Sequence, residues 1–467
     1  MTSDAKNTRL SYRPDIDGLR AVAVLLVVAC HMGIYKCRGG FIGVDVFFVI
    51  SGYLISSVIL SEIASSQFSL FSFYERRIRR IVPALVVMLL AASFLAYRYL
   101  LPVEMEDFAK SLVASIFSQS NFYFWSQSGY FDAPAALKPL LHTWSLAVEE
   151  QFYIFFPLFL LAIRRFFPTR LRLSIVLIAI LSFVASAIGA YLYPNSTFYL
   201  APTRAWELLL GTLLSLKLFP EISGAVWRNG STIAGITSIL LAAVFFSSST
   251  TFPGLAALAP CLGAALIIAG GETGQSVVGR ALSSKPAVFV GLISYSLYLW
   301  HWPIIVFQKL GTLLVNGVSD RVGGLVAFAV SLVVATLSWR FVELPFRNGP
   351  LKLSGAPLFK TALASSLGVA AIAVGMLASH GLPSRFPSEA VRVASYLDYG
   401  TKEEYREGTC FLLPAMQSRN FDVATCLHQD PDKKNYLLIG DSHAAALWYG
   451  LSNTLDGINV MQATAAG

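Results

Sequence analysis

Long apolar segments, separated by short polar ones, account for most of the chain. A transmembrane α-helix needs about 20 consecutive, predominantly apolar residues. On this basis we predict eleven membrane spans, near residues 19–35, 43–60, 81–101, 144–163, 173–193, 204–219, 231–248, 254–270, 287–309, 322–342 and 361–379. The pattern therefore predicts an α-helical polytopic membrane protein up to residue 380.

Basic residues are distributed unevenly over the segments between these spans. Cytoplasmic loops of membrane proteins carry an excess of Lys and Arg. With a cytoplasmic N-terminus, the inner loops contain Arg76, Arg77, Arg79, Arg80, Arg164, Arg165, Arg170, Arg172, Arg280, Lys285, Arg340, Arg347 and Lys352. A further crossing at Glu104–Trp125 would invert every later loop, so we predict none there. Eleven spans then place everything after His380 on the outer side.

Composition supports the membrane assignment, because 55% of the residues are hydrophobic and only 13% are charged. The mean hydropathy is +0.62. The net charge of +8 arises from the basic loops, so we expect the lipid bilayer and no nucleic acid as a partner. Met1–Arg13 lacks the features of a cleavable signal peptide. The 6 His and 5 Cys residues show no metal-ligand spacing, and we expect no metal.

Three ionisable residues, Arg20, His31 and Asp45, lie within the first two apolar segments. Such residues are costly in a bilayer and are functional candidates by default. Arg20 and His31 are eleven residues apart, so they share nearly the same helical face at about 16 Å along the axis. A neutral imidazole at this depth is suited to general-base catalysis. Asp45 either orients His31 or caps its own helix, and Arg20 alone also fits a surface anchor.

Arginines before the third span are a second candidate group. Their simplest role is to fix the topology. Arg76 and Arg80 share a helical face by their i,i+4 spacing and can form an anion-binding site, which Arg77 adjoins.

Acidic residues at the start of the fourth span form a third group. Glu149 and Glu150 are adjacent, and Glu149 lies on the same helical face as His142 if the helix begins early. Paired acids here indicate recognition of sugar hydroxyls, an ion pair with Arg204, or a structural network. Arg204 and Glu207, at i,i+3 spacing, are predicted to pair with each other.

The character of the chain changes at Gly381, after which it is charged and interrupted by proline. An oxidising outer compartment would permit a disulfide between Cys410 and Cys426, and we predict that bond. A short apolar strand then ends at a Gly-Asp-Ser turn and is followed by an Ala-rich helix. Ser442 on this turn is predicted to be exposed, with helix-start amides nearby to form an oxyanion site.

Several ordered motifs together make the chain similar to the acyltransferase-3 family of membrane O-acyltransferases over about residues 11–350. Besides Arg20-x10-His31, they are GFIGVDVFFVISGYLI (Gly40–Ile55), FYERRIRRIVP (Phe73–Pro83), HTWSLAVEEQFY (His142–Tyr153), TRAWELLLG (Thr203–Gly211) and SYSLYLWHWP (Ser294–Pro303). The resemblance implies that Arg20 contacts the CoA phosphates and that His31 is the base or the acyl carrier. It also makes His301 a secondary candidate.

The segment around Ser442 resembles the first block of an SGNH hydrolase domain, which follows the membrane part in some acyltransferase-3 proteins. The Asp-x-x-His pair of that domain does not follow within residues 443–467. His443 would point away from the serine hydroxyl, so we do not assign it as the base. We therefore expect a truncated sequence, with a membrane domain at 1–380, a linker at 381–433 and the incomplete α/β start of an SGNH domain at 434–467.

The resemblance implies a function in the bacterial inner membrane, with the C-terminal domain in the periplasm. Acetyl-CoA would be the acyl donor, with no permanently bound cofactor. The acceptor would be a hydroxyl of a cell-envelope glycan, with O-antigen of lipopolysaccharide expected first and peptidoglycan as the alternative. Two other classes remain open: a transporter without chemistry, and a membrane-anchored esterase in which Ser442 removes acyl groups.

Overall fold

The structure, a computed structural model, describes residues 12–128, 134–311, 320–398, 400–413 and 416–466. It divides into two compact units. One comprises most residues up to 379, and the other comprises residues 101–104 and the chain from 380 onward.

The first unit is built from α-helices. Up to residue 379 they are α1 (Pro14–His31), α2 (Gly43–Ala64), α3 (Leu70–Tyr99), α4 (Pro102–Ile116), α5 (Ser120–Ser126), α6 (Thr143–Phe166), α7 (Leu171–Leu192), α8 (Pro194–Tyr199), α9 (Ala201–Ser215), α10 (Ala225–Phe245), α11 (Leu258–Gly270), α12 (Val277–Leu282), α13 (Lys285–Lys309), α14 (Asp320–Ser338), α15 (Leu344–Arg347) and α16 (Gly355–Ala378). A π-helical segment, Trp339–Glu343, joins α14 to α15.

Each predicted span falls on one of these helices, and the polytopic helical fold is confirmed. Within the described residues, 8 helices are long and apolar enough to cross a membrane. The three other predicted spans correspond to α9 and α11, which are shorter, and to α1, which carries three charged residues. The count of eleven spans therefore remains a prediction.

Helix α3 differs from the prediction, because it begins at Leu70 and the predicted span begins at residue 81. The arginines at 76–80 thus lie on a helix and not in a loop. Ser69 caps the helix by accepting a hydrogen bond from the amide of Ser72. Ion pairs with acidic residues on α2 and α3 then neutralise part of the positive charge. In the same way, Arg340 and Arg347 lie on the helical continuation of α14.

Glycines allow the helices that carry the candidate residues to approach closely. Helix α1 packs along α13, and α2 packs along α9. A Cβ atom on Gly291 would collide with the carbonyl of Asp17, and one on Gly52 would collide with the carbonyl of Leu208. Small residues at helix crossings are the usual means of close approach in membranes. These two crossings place His31 beside α13 and Asp45 beside α9.

The second unit has a parallel three-stranded sheet. Its strands are β1 (Phe411–Leu412), β2 (Lys434–Gly440) and β3 (Ile458–Ala465), in the order β1-β3-β2. Its helices are α17 (Ser388–Ser395), α18 (Thr401–Glu404), α19 (Val423–Cys426) and α20 (Ser442–Thr454). Helix α20 forms the crossover from β2 to β3, as parallel pairing requires. A disulfide joins Cys410 to Cys426, whose Cα atoms are 5.4 Å apart.

Candidate functional site

Two cavities within the helical unit contain most of the candidate residues. The larger, the arginine cavity, has a volume of about 280 Å³, and its charged lining residues are Arg20, Arg77, Arg80, Glu149 and Glu150. The smaller, the histidine cavity, has a volume of about 70 Å³, and its ionisable lining residues are His31, His142, Asp45 and Arg204. Among the described residues, Val44 and Tyr298 line both cavities. These two side chains therefore form the wall between them.

Single helices contribute residues to both cavities. Along α1, Arg20 in the arginine cavity comes before His31 in the histidine cavity. Along α2 the order is reversed, because Asp45 lines the histidine cavity and Ser51, later in the helix, lines the arginine cavity. The shared helical face predicted for Arg20 and His31 therefore serves two adjoining cavities and not one site. The chain thus combines an anion-binding environment and an imidazole environment on the same helices.

His31 and His301 form a hydrogen-bonded pair. The Nδ1 atom of His31 is 3.0 Å from Nε2 of His301. The Nδ1 atom of His301 is 2.7 Å from the carbonyl oxygen of Tyr298. Since a carbonyl only accepts, this Nδ1 carries the proton, and the neutral His301 ring presents an unprotonated Nε2 to His31. The network therefore assigns a protonated Nδ1 and an unprotonated Nε2 to neutral His31.

Asp45 binds Arg204 and not His31. Of the two roles left open for Asp45, orienting His31 is therefore not the one seen, and His301 is the residue that contacts the His31 ring. Asp45 Oδ1 accepts a hydrogen bond of 2.9 Å from Arg204 Nη2, and Glu207 Oε1 lies 3.1 Å from Arg204 Nη1. All three side chains are at most 1% exposed. The Cys261 sulfur lies within 4.8 Å of both carboxyl groups, and the guanidinium is the cation that contacts both of them.

Aromatic rings enclose that guanidinium. They belong to Phe48, Trp144, Phe198 and Phe252, with ring centres 5.5 to 5.8 Å from the Arg204 Cζ atom. Such contacts add cation–π attraction in a desolvated site. The cluster anchors α9 to α2 beneath the histidine cavity.

His142 lies at the other side of the histidine cavity. Within the described part of the chain, neither of its ring nitrogens makes a hydrogen bond of acceptable geometry. The backbone carbonyl that faces its ring is that of Leu299. Pro303 lacks the amide that would otherwise bind this carbonyl. His142 thus presents free hydrogen-bonding capacity beside the His31–His301 pair.

The arginines of α3 separate into two kinds. Arg76 binds both oxygens of Glu62, at 2.8 and 2.9 Å, and Arg79 pairs with Glu75. In the described residues, no carboxylate lies within ion-pair distance of Arg77 or Arg80. The prediction that Arg76 and Arg80 together form an anion site differs from the structure, in which Arg76 is bound to Glu62 and Arg80 lines the arginine cavity with Arg77.

The unpaired arginines face the arginine cavity. Arg20 joins Arg77 and Arg80 there, although its Nη1 also contacts Asp17 at 3.2 Å. Three guanidinium groups facing one cavity are suited to binding a phosphate-bearing ligand, because each offers a fork of N–H donors. The anion-binding candidates are therefore Arg20, Arg77 and Arg80.

Glu149 binds hydroxyl groups and not Arg204. It accepts hydrogen bonds from Ser51 and Tyr153, both of which line the arginine cavity. The alternative of an ion pair with Arg204 is absent from the described structure, in which Arg204 pairs with Asp45 and Glu207. Glu149 and His142 also border different cavities and not one common face.

Several residues of the cavities were missed by sequence reasoning. Ser51, Tyr153 and Tyr298 are uncharged, so the search for costly intramembrane charges did not select them. All three lie inside the motifs that the chain shares with the acyltransferase-3 family, so membership in a motif could have identified them. Tyr298 is held firmly, since its hydroxyl is 2.6 Å from Ser145 Oγ and donates to the His142 carbonyl at 3.1 Å.

Ser442 occupies the strand-to-helix turn of the second unit. It is the first residue of α20 and follows the carboxyl end of β2, where ligands bind in parallel α/β sheets. Asp441 caps the helix by accepting a 2.9 Å hydrogen bond from the backbone amide of His443. Ser442 is half-buried and His443 is exposed. The turn thus presents the serine next to the amides of a helix N-terminus.

Comparison with known families gives two matches. The model of a family described as an acyltransferase domain matches residues 13–340. A second, described as an SGNH domain fused to acyltransferase-3 domains, matches residues 409–467. The recognition of both parts from sequence motifs is confirmed. No solved structure matches the chain.

Curated relatives are O-acetyltransferases by name. The chain is 35% identical over 363 residues to "Peptidoglycan O-acetyltransferase OatA" of Listeria monocytogenes, which covers 73% of this chain and 57% of the relative. It is 33% identical over 355 residues to "O-acetyltransferase OatA" of Staphylococcus aureus, covering 73% of this chain and 58% of the relative. The chain thus spans less than three fifths of the length of either relative.

Proposed function

We propose that this chain transfers an acetyl group from acetyl-CoA to a glycan hydroxyl. It belongs to the acyltransferase family that matches residues 13–340, and residues 409–467 match the SGNH domain that is fused to such domains. The observation that carries the proposal is the contact between the two cavities. One presents unpaired arginines, and the other presents an oriented imidazole. An acyl-CoA offers the matching parts, namely phosphates and a thioester at the end of a long arm.

The arginine cavity supports binding of the donor. Arg77 and Arg80 have no carboxylate partner in the described residues, so phosphate oxygens can bind them without displacing an existing ion pair. The CoA phosphates would occupy this end, and the acyl thioester would extend towards the histidine cavity. Arg20, on the helix that also carries His31, would fix the distance between the two ends.

The histidine pair supports the chemical step. Nε2 of His31 would take the proton of the attacking hydroxyl while the hydroxyl oxygen bonds to the thioester carbonyl carbon. The carbon–sulfur bond then breaks, and the imidazolium returns its proton to the CoA thiolate. His301 would keep the reactive nitrogen available by accepting the Nδ1 proton. His142 would orient the hydroxyl through its free ring nitrogens.

Peptidoglycan is the acceptor that the comparisons favour. The Listeria relative is named for peptidoglycan, whereas the names of the two relatives described above do not mention O-antigen, the first expectation from the sequence. We therefore propose a sugar hydroxyl of peptidoglycan as the acceptor. Outside the bilayer, the Ser442 hydroxyl would attack the ester formed at His31 and release its alcohol, and the glycan hydroxyl would then attack the acetyl-Ser442 ester and free the serine.

Orientation is part of the proposal. The basic residues of the α3 N-terminal half and of the loop after α6 would lie on the cytoplasmic side, as the positive-inside rule requires. The arginine cavity would then open towards cytoplasmic acetyl-CoA. The second unit would lie on the outer side of the cytoplasmic membrane.

The test combines purified protein and cells. Purified protein should consume acetyl-CoA, and cells that express the gene should gain O-acetyl groups on peptidoglycan by mass spectrometry, whereas His31→Gln should abolish both. A loss of O-acetyl groups would instead identify an esterase. Absence of acetyl-CoA consumption by the wild type would favour a transporter. Acetylation of a different glycan would show that peptidoglycan is not the acceptor, while the acetyltransferase activity would stand.

A further inference from the structure

We propose that Val44 and Tyr298 form a partition through which the acyl group passes, and that the side chain at position 44 sets the acyl length that the protein transfers. This inference rests on the proposed function. Among the described residues, these are the two side chains that line both cavities. An acyl group that moves from the arginines to His31 passes between them.

Tyr298 is the fixed side of the partition. Its hydroxyl is bound to Ser145 and to the carbonyl of His142, both at the start of α6. Its ring packs edge-on against Phe47, with ring centres 6.3 Å apart. A tyrosine held at both its ring and its hydroxyl cannot swing aside without breaking two buried hydrogen bonds. The width of the passage therefore depends on the opposite side.

Val44 is that opposite side. It lies in the first turn of α2 and is 8% exposed. A β-branched side chain on a helix is nearly confined to one χ1 rotamer, so its two methyl groups stand at a fixed place. The small volume of the histidine cavity, about 70 Å³, leaves room for a short acyl group beyond them. Position 44 is therefore placed to discriminate acetyl from longer chains.

The primary test changes this volume in both directions. Val44→Ala should raise the transfer of propionyl and butyryl groups relative to acetyl, on the order of tenfold or more, which is the usual discrimination per methylene in an apolar pocket. Val44→Ile adds a carbon at the same place and should lower the ratio of propionyl to acetyl transfer below that of the wild type. Transfer is measured with purified protein and competing acyl-CoA donors, scored by the mass of the acylated product.

Val46→Ala is the matched control. It removes the same two methyl groups from the same helix, and Val46 belongs to the buried core and to neither cavity. Its acyl preference should equal that of the wild type even if its stability falls. A general loosening of α2 would shift the preference of both alanine variants, and that result would overturn the proposal.

Tyr298→Phe tests the fixed side. It keeps the ring and removes both hydroxyl contacts, so the partition should loosen. Water would then reach the thioester carbonyl, and the carbon–sulfur bond would break to give acetate and the free CoA thiol. We expect CoA release without acceptor to rise several-fold. Release at the wild-type rate would contradict a role in separating the cavities.

The two levels of proposal fail in different ways. If the wild type consumes no acetyl-CoA, the proposed function is wrong. If the wild type transfers acetyl groups but both Val44 variants keep its ratio of acetyl to butyryl transfer, the function stands and the partition is wrong.

Discussion

At the scale of single residues, the tautomer of His31 depends on one partner. His301 accepts its Nδ1 proton and is itself fixed by the Tyr298 carbonyl. His301→Leu should therefore lower kcat by roughly 10²- to 10⁴-fold, the usual contribution of an oriented base, with acetyl-CoA affinity unchanged. His301→Gln should restore part of the rate, because its amide oxygen can accept the same proton. Equal losses in both variants would indicate a packing role alone.

A second residue-scale prediction compares two adjacent arginines. Arg77 faces the arginine cavity without a carboxylate partner in the described residues, whereas Arg76 is bound to Glu62 outside it. Arg77→Ala should weaken acetyl-CoA binding by roughly ten- to a hundredfold, as expected for a lost hydrogen bond to a charged group. Arg76→Ala should bind the donor normally. Titration of each purified variant with acetyl-CoA measures both constants, and equal weakening would refute the distinction.

Sequence reasoning at this scale reached the ionisable residues and the local ion pair of Arg204 with Glu207, but not the partners that come from distant helices. His31 was predictable because an imidazole inside an apolar segment is costly. Its partner His301 lies 270 positions away, and only the crossing of α1 with α13 brings the two together. The partner of Asp45 was missed for the same reason, since its counter-charge, Arg204, comes from α9.

At the scale of elements, the Asp45–Arg204–Glu207 cluster fastens α2 to α9. Removing the cation would leave this buried acidic pair without its counter-charge, at a cost of about 3–5 kcal/mol. Arg204→Leu should therefore lower the thermal stability of the detergent-solubilised protein markedly.

Lys217→Ala is the control for this prediction. Lys217 pairs with Glu221 at 3.7 Å, but both side chains are more than 60% exposed, so its loss should change stability by less than about 1 kcal/mol. If Arg204→Leu were as stable as this control, the cluster would not hold the two helices together.

Helix α3 shows why element boundaries escaped the sequence pattern. A window of apolar residues ends where four arginines occur in five positions, so the predicted span begins after them. In the folded chain, Glu62 and Glu75 lie where they bind two of these arginines, and the helix continues through the charged segment. One of these two partners, Glu62, comes from α2 and is therefore not contained in the local pattern.

At the scale of the whole molecule, the disulfide constrains the second unit. Cys410 and Cys426 close a loop of 16 residues, and the chain-entropy model gives about 3 kcal/mol for such a loop. Cys410→Ser with Cys426→Ser should therefore increase proteolysis between residues 400 and 434 while leaving acetyl-CoA binding intact. Alkylation of both thiols in the wild type without prior reduction would show that the bond does not form.

The architecture as a whole was largely predictable because apolar length and charge asymmetry are properties of the sequence itself. The order of helices and the strand-to-helix turn at Ser442 followed from the pattern. The division of the interior into two cavities did not, since it arises from side chains of several helices meeting at Val44 and Tyr298.

The hydrogen bond from His301 to the Tyr298 carbonyl has an energetic consequence for the cell. A proton received by His31 can move to His301, but the carbonyl beyond cannot take it. The proton would therefore leave from Nε2 of His31, the atom that received it, and pass to the departing thiolate. Acetyl transfer would then move no net charge across the bilayer and would neither draw on the proton-motive force nor leak it. In sealed vesicles, an uncoupler should leave the rate of acetyl transfer unchanged.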